Sequence, residues 1–481
     1  MSLYQNAYAI IILLNLLFAV AVVFLERRNV GVTWAWLMIL LFLPIVGFAL
    51  YLLFGQNLSK VKLYKISKLI SRDIKAIVEG QRRAYLHNEI EFKDPAMLPY
   101  RDMVYMNLTS GYALYTQDND VHIFTDGNDK FEALLQSIAE AKSHIHLMYY
   151  IVRDDAIGQR LIKALVAKAE EGVEVRFLYD AIGSWHLRSQ YFSPLIHAGG
   201  KVAAFFPSKI LYLNIRVNYR NHRKLAIIDG EIGYIGGFNV GDEYLSLDKR
   251  FGYWRDTHLR ISGSAVLQMQ ALFFLDWNLA SEVPIPEDYD YFPVGPAQGN
   301  VGIQIVSSGP NNSEEQIKNA YIKMIHAAKK SICIQTPYFI PDESVLTALR
   351  LAALSGVEVF LMLPSKPDHK MVYWASFSYL GDLLEAGGRC LLYEKGFLHA
   401  KSIVVDGLIA SIGTANVDIR SFKLNFEANA IIYDSKTAAE LQHIFDHDRV
   451  YSRELTLAEY SARSRMQRIK ESFTRLLSPI L

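Results

Sequence analysis

The stretch His222-Arg-Lys224-Leu-Ala-Ile-Ile-Asp229-Gly-Glu-Ile-Gly-Tyr-Ile-Gly236-Gly-Phe-Asn239 recurs as His399-Ala-Lys401-Ser-Ile-Val-Val-Asp406-Gly-Leu-Ile-Ala-Ser-Ile-Gly413-Thr-Ala-Asn416. Both copies read H-x-K-x4-D-x6-G-x2-N. On a strand, residues two apart share a face, so each copy presents an imidazole beside an ammonium. Leu225–Ile228 and Ser402–Val405 are mostly apolar, as in buried strands. Asp229-Gly230 and Asp406-Gly407 read as tight hairpin turns, with Ile232–Ile235 and Leu408–Ile412 returning. The hairpins bring Asn239 and Asn416 back near the His–Lys pairs.

Around each copy the order of elements repeats. Phe131–Ala141 is helical in pattern, His144–Ile151 extended and Gly158–Glu171 helical, followed by Gly172-Val-Glu-Val175 and Ala198-Gly-Gly-Lys201. Further on, Glu314–Lys330, Ile332–Tyr338 and Val345–Ser355 repeat that order, followed by Gly356-Val-Glu-Val359 and Ala386-Gly-Gly-Arg389. Alternating strands and helices indicate α/β layers, and the period is far too long for a solenoid. The expected fold is a duplicated α/β domain whose halves face each other across a pseudo-twofold axis. A site on that axis draws residues from both.

Two His, two Lys and two Asn on one pocket supply a nucleophile, a general acid, positive charge and neutral donors. That set suits a phosphodiester, whose transition state spreads negative charge over its oxygens. Downstream, Trp254-Arg-Asp256 aligns with Asn425-Phe-Glu427. Asp256 and Glu427 take the same place, where a carboxylate orients an imidazole tautomer. His443, Asp446, His447 and Asp448 read as a solvated helix face rather than a ligand set. His144 and His146 share a strand face and read as packing or pocket residues.

Of the 481 residues, 51% are hydrophobic and the formal net charge is +1. The mean hydropathy of +0.12 is high for a soluble enzyme, and the excess sits at the front. Residues 1–59 hold only Glu26, Arg27 and Arg28 as charges; the remainder holds 48 basic against 48 acidic residues, which excludes a nucleic-acid binder acting through gross basicity. Two cysteines, Cys333 and Cys390, make no disulfide framework.

Ala7–Leu25 is apolar except for Asn15, and Gly31–Phe54 carries no charge. At 1.5 Å per residue these runs reach roughly 28 and 36 Å, enough for a bilayer core of about 30 Å. A signal peptide fits poorly, since the first run has no basic leader and no small-residue cleavage site. The expectation is a two-helix transmembrane hairpin, with helices near 7–25 and 31–54. Lys60, Lys62, Lys65, Lys68, Arg72, Lys75, Arg82 and Arg83 follow it, which keeps the main domain cytoplasmic. Leu455–Leu477 is helical in pattern, with Arg463, Arg465, Arg468, Lys470 and Arg475, and reads either as a membrane-surface helix or as a packed terminal one.

The paired motif resembles the signature of the phospholipase D superfamily over about Phe131–Tyr433. The flanks narrow it: Arg27-Arg-Asn29, Thr33-Trp-Ala-Trp-Leu37, Asn218-Tyr-Arg-Asn-His222, Thr336-Pro-Tyr-Phe-Ile-Pro-Asp342 and Leu477-Ser-Pro-Ile-Leu481 are similar to bacterial cardiolipin synthases. Gly237 and Thr414 stand where the superfamily's Gly-Ser pair has its serine, which suggests halves that are not equivalent.

The resemblance implies joining of two phosphatidylglycerols with release of glycerol. His222 would attack phosphorus to form a phosphatidyl-histidine, and His399 would act as acid and then as base. Lys224, Lys401, Asn239 and Asn416 would hold phosphoryl oxygens, and Asp229 and Asp406 would steady the turns. It implies no cofactor, no metal and no nucleic acid; the partners would be phosphatidylglycerol, cardiolipin and a bacterial inner membrane crossed more than once. It implies no oligomeric state. The domains expected are an anchor over 1–59, a basic linker over 60–110, halves over 111–290 and 300–450, and a basic tail over 451–481. Hydrolysis, transfer to another alcohol or phospholipid, or an inactive lipid-binding scaffold are the competing functions.

Overall fold

The computed structural model describes residues 3–24, 30–54, 68–188, 190–207, 218–286, 289–312 and 314–478. Glu26, Arg27 and Arg28, then Lys60, Lys62 and Lys65, and the last three residues of the closing motif lie outside the described residues.

At the centre, strand Thr116–Phe124 runs antiparallel to Val301–Ser308. Outward from Thr116–Phe124 the sheet continues through His258–Ser262, Ile232–Gly236, Leu225–Ile228, His144–Tyr149, Glu174–Asp180 and Lys201–Phe205. Outward from Val301–Ser308 it runs through Asn425–Tyr433, Ile409–Gly413, Ser402–Val405, Ser331–Gln335, Glu358–Pro364 and Arg389–Tyr393, with Ser452–Leu455 at the edge. The two arms have the same order, so the central pair marks the pseudo-twofold axis. Gly172 and Gly356 have φ of 90° and 89°, and Gly199 and Gly387 have 93° and 91°; the helix-ending turns repeat as closely as the strands.

In the first half Phe131, Leu134 and Leu161, from helices Gly127–Glu140 and Ala156–Glu170, pack on Ile145, Leu147, Val175 and Phe177 of the strands. On the other side of the sheet one cluster spans both halves, joining Met269 and Phe273 to Ile305, Val404, Leu441 and Phe445. Strands buried on both faces explain why the motif strands lack a polar alternation.

The amino-terminal region differs from the expected hairpin. It forms three helices: α1 (Leu3–Phe24), α2 (Val30–Phe42) and α3 (Pro44–Phe54). The second apolar run is cut at Leu43, because Pro44 has no N–H to give to Leu40 and starts a new helix. The buried Asn15 amide donates to Leu40 O at 3.2 Å and Pro44 O at 2.8 Å, satisfying carbonyls at the break. Phe18 stacks on Tyr51 at 4.8 Å, and Trp36 meets Tyr51 edge-on at 5.3 Å. Leu13, Leu17 and Phe24 of α1 and Met38, Leu41 and Phe42 of α2 face outward and exposed. Among the described residues no helix is long and apolar enough to cross a membrane.

The tail also differs. Leu455 belongs to the edge strand, and the expected single helix is two, Leu457–Ser461 and Arg465–Leu476.

Candidate active site

The strand Arg220–Asn221 lies parallel to Asn425–Phe426 of the second half, and His222 N donates to Phe426 O at 3.0 Å. In the mirrored arrangement, Gly396–Leu398 lies parallel to Tyr253–Arg255, and His399 N donates to Arg255 O at 2.7 Å. Each histidine is thereby delivered to the strand bearing the other half's carboxylate. His222 Nδ1 lies 2.9 and 3.1 Å from the two oxygens of Glu427, and His399 Nδ1 lies 2.6 Å from Asp256 Oδ2. Both expected carboxylates meet an imidazole, and they do so crosswise.

The two carboxylates are held differently. Glu427 accepts from the Thr414 hydroxyl at 2.5 Å and from the Asn425 amide at 3.2 Å. Asp256 accepts from Thr257 N at 2.8 Å. At Gly237, the counterpart of Thr414, a Cβ would run into the Asp256 carboxylate. This accounts for the unlike residues after the motif glycines: one half needs a hydroxyl there and the other needs space.

Burial pushes both imidazoles down, to about 4, so the resting site holds them neutral. Nδ1–H then faces the carboxylate, and Nε2 keeps the lone pair that a nucleophile or base requires. Burial alone would raise Asp256, yet Lys401 and His399 hold it below its ordinary value. Glu427 is kept low in the same way, against burial, by His222 and Lys224. Lys224 Nζ donates to His222 O at 2.6 Å, and Lys401 Nζ to His399 O at 2.5 Å. Burial lowers both ammonium groups, Lys401 to about 8 and Lys224 well below its usual range.

Asp229 and Asp406 sit at their turns with φ of 55° and 56°, each followed by a glycine also at positive φ. Asp229 accepts from the backbone N–H of Lys142, Ser143 and His144 at 2.8, 2.8 and 2.9 Å. Asp406 does the same with Lys329, Lys330 and Ser331 at 2.8, 2.7 and 2.8 Å. Each carboxylate thus ties its hairpin to the chain entering a neighbouring strand. Asn239 accepts from Ile151 N at 3.1 Å and donates to the Tyr244 hydroxyl at 3.0 Å. Asn416 bonds Asp418 through its amide, and its Oδ1 is buried with no partner among the described residues.

Several residues were not anticipated from the sequence. Tyr150 meets His222 edge-on at 4.8 Å between ring centres, and Trp254 lies 5.1 Å from His399. Arg223 donates to Glu427 O at 3.1 Å and pairs with Asp276 at 2.5 Å. Arg255 pairs with Asp448 at 2.8 Å. In the motif alignment Arg223 matches Ala400, and Arg255 matches Phe426. Both arginines thus come from the first half, one from each of the two crossing pairs of strands, and the second half has apolar residues in their places. The available signal was a charged residue wedged between His222 and Lys224 in an otherwise apolar strand.

Asp448 is buried in that pairing, while His443 and His447 line a cavity of about 570 Å³ with Lys395 and Lys436. Among the described residues no group of His, Cys, Asp or Glu is arranged to hold a metal ion. His146 stacks on Phe273 at 4.5 Å, with Gln270 2.8 Å from its Nδ1, and His144 lies 4.8 Å from it ring to ring. The His144 and His146 rings pack behind the first motif, and the His144 backbone is bonded to Asp229.

A family model described as "Cardiolipin synthase, PLD-like domain" matches residues 134–258 and 321–449. The chain belongs to the cardiolipin synthase family. A second model, "Phospholipase_D-nuclease N-terminal", matches residues 13–56. A cardiolipin synthase of Oceanobacillus iheyensis is 54% identical over 97% of both chains. The major cardiolipin synthase of Bacillus subtilis is 52% identical over 100% of both. A crystal structure of Haemophilus influenzae phosphatidylserine synthase covers 75% of this chain and 95% of its own with a TM-score of 0.61; at 14% identity it supports the fold alone. The family is thus the one the paired motif and its flanks resemble, within the phospholipase D superfamily.

Proposed function

We propose that this chain makes cardiolipin by moving the phosphatidyl group of one phosphatidylglycerol onto the headgroup hydroxyl of a second, with release of glycerol. The observation that carries this reading is the crossed pair, His222 on Glu427 and His399 on Asp256, inside a chain that matches cardiolipin synthases along its whole length. His222 Nε2 attacks phosphorus as the bond to the glycerol oxygen breaks, and His399 gives that oxygen its proton. His399 then takes the proton of the acceptor hydroxyl, whose oxygen displaces His222 from phosphorus. One residue serves as acid and then base because the second step mirrors the first. Lys224 and Lys401 supply positive charge to the phosphoryl oxygens. Asn416, whose amide bonds Asp418, and Asn239, whose amide donates to Tyr244, act on the pocket through those neighbours.

On this reading residues 1–59 anchor the enzyme in a bacterial inner membrane, 60–110 link, 111–290 and 300–450 form the catalytic halves and 451–481 the tail. The outward apolar faces of α1 and α2 support the anchor, and the basic residues after it support a cytoplasmic catalytic region. Purified enzyme given radiolabelled phosphatidylglycerol in detergent should yield cardiolipin and glycerol in equal amounts, and His222→Ala should yield neither. Phosphatidic acid as the sole lipid product, or activity surviving His222→Ala, would sink the proposal.

A further inference from the structure

The last helix, Arg465–Leu476, is docked by its polar side. Ser464 caps it by accepting from Gln467 N at 3.2 Å. Glu471 and Thr474 are the buried members, and Glu471 is held by Arg463 at 3.0 Å and by the Gln467 amide at 2.9 Å. Arg475 reaches Asp382 and Ser378 O, each at 3.0 Å, on helix Lys370–Glu385, and the Tyr379 hydroxyl meets Ser478 at 3.0 Å. Away from this contact stand Met466, Ile469, Phe473 and Leu476, exposed by 61, 63, 61 and 78%. At about 100° per residue these four fall within an arc of about 80°. A helix packed on a domain ordinarily turns such a stripe inward. Here it is turned out.

The charges bordering the stripe have one sign. Arg465, Arg468 and Lys470 are exposed, whereas the helix's only acidic residue, Glu471, is buried. Two copies of the chain meeting through this face would bring like charges together around a narrow apolar strip. An anionic bilayer suits both features, apolar side chains entering below the headgroups and cations meeting lipid phosphates.

We propose that Arg465–Leu476 is an interfacial membrane contact that lies in the plane of an anionic bilayer, with Met466, Ile469, Phe473 and Leu476 inserted. This contact is separate from the amino-terminal helices and from the histidine site, and it would hold the carboxyl-terminal half against its lipid supply.

The test uses the full chain in phosphatidylcholine vesicles with and without phosphatidylglycerol. Nitroxide labels are placed at Ile469→Cys and Phe473→Cys, the native Cys333 and Cys390 being buried. With phosphatidylglycerol present, both labels should be reached by oxygen more readily than by a water-soluble nickel complex. Labels open to the nickel complex in both kinds of vesicle would overturn the proposal, as would dipolar broadening between copies. Ile469→Glu with Phe473→Glu, checked for an unchanged melting temperature, should lower turnover of vesicle phosphatidylglycerol severalfold and spare a short-chain soluble analogue. Equal losses on the two substrates would also overturn it. The label readout does not depend on catalysis, so it stands or falls separately from the proposed reaction.

Discussion

Gly237 and Asp256 touch so closely that a Cβ on residue 237 would enter the van der Waals envelope of the carboxylate. That carboxylate is the partner of His399, so a side chain here acts on the other half's histidine. Gly237→Ser, which restores the superfamily's usual residue, should therefore lower kcat by about 10²-fold, the scale of a misplaced acid–base group. Thr414→Ser keeps the hydroxyl that Glu427 accepts and should stay within severalfold of the native enzyme. Turnover of phosphatidylglycerol, with circular dichroism as a check on folding, distinguishes the pair.

Glu427→Gln and Asp256→Asn each replace a buried anion with a neutral amide of the same shape. Each should lower kcat by about 10²–10⁴-fold, since the imidazole loses both its tautomer and its counter-charge. KM should change little, because neither carboxylate is proposed to touch the lipid. Steady-state kinetics on both variants checks this.

Burial brings both imidazoles from 6.5 to about 4, so at pH 7 the free site carries neither proton. On the proposed reaction, departure of glycerol needs one on His399, and an arriving phosphodiester anion would favour the protonated ring. Calorimetric binding of a non-hydrolysable phosphodiester at pH 7, in buffers of different ionisation heat, should reveal proton uptake that His399→Ala abolishes. Lys401, lowered by burial to about 8, loses its proton as pH rises through that value. Turnover should decline there, and Lys401→Arg should move the decline upward.

Asp229→Ala and Asp406→Ala each strand three backbone N–H groups. The expected loss is about 1–3 kcal/mol of stability, seen as a lower urea midpoint. Activity per folded molecule should stay within about tenfold of native, which separates these aspartates from the histidines they accompany in the motif.

The duplication was legible because it rests on local periods: His and Lys share a strand face, and Asp-Gly makes the turn. The carboxylates were legible as equivalents, Asp256 for Glu427, through matching strands. Their crossed assignment was not, since it depends on two short parallel pairings between segments far apart in the chain, Arg220 beside Asn425 and Tyr253 beside Gly396, and no local pattern encodes those. The break at Pro44 was written in the sequence, in the middle of a run whose apolarity concealed it. The tail's basic composition was plain, yet only the fold shows which side of Arg465–Leu476 is covered.

The crossed pairs also set an order in time. A ribosome completes His222 long before it reaches Glu427, so the nascent first half carries an imidazole without the carboxylate that orients it. His399 is made after Asp256 but before the strand Asn425–Tyr433 that lies beside the central pair. A truncated product lacking that strand would hold both motif histidines but not Glu427, so His222 would lack the carboxylate that orients it. The arrangement withholds an oriented His222 until the chain is nearly finished.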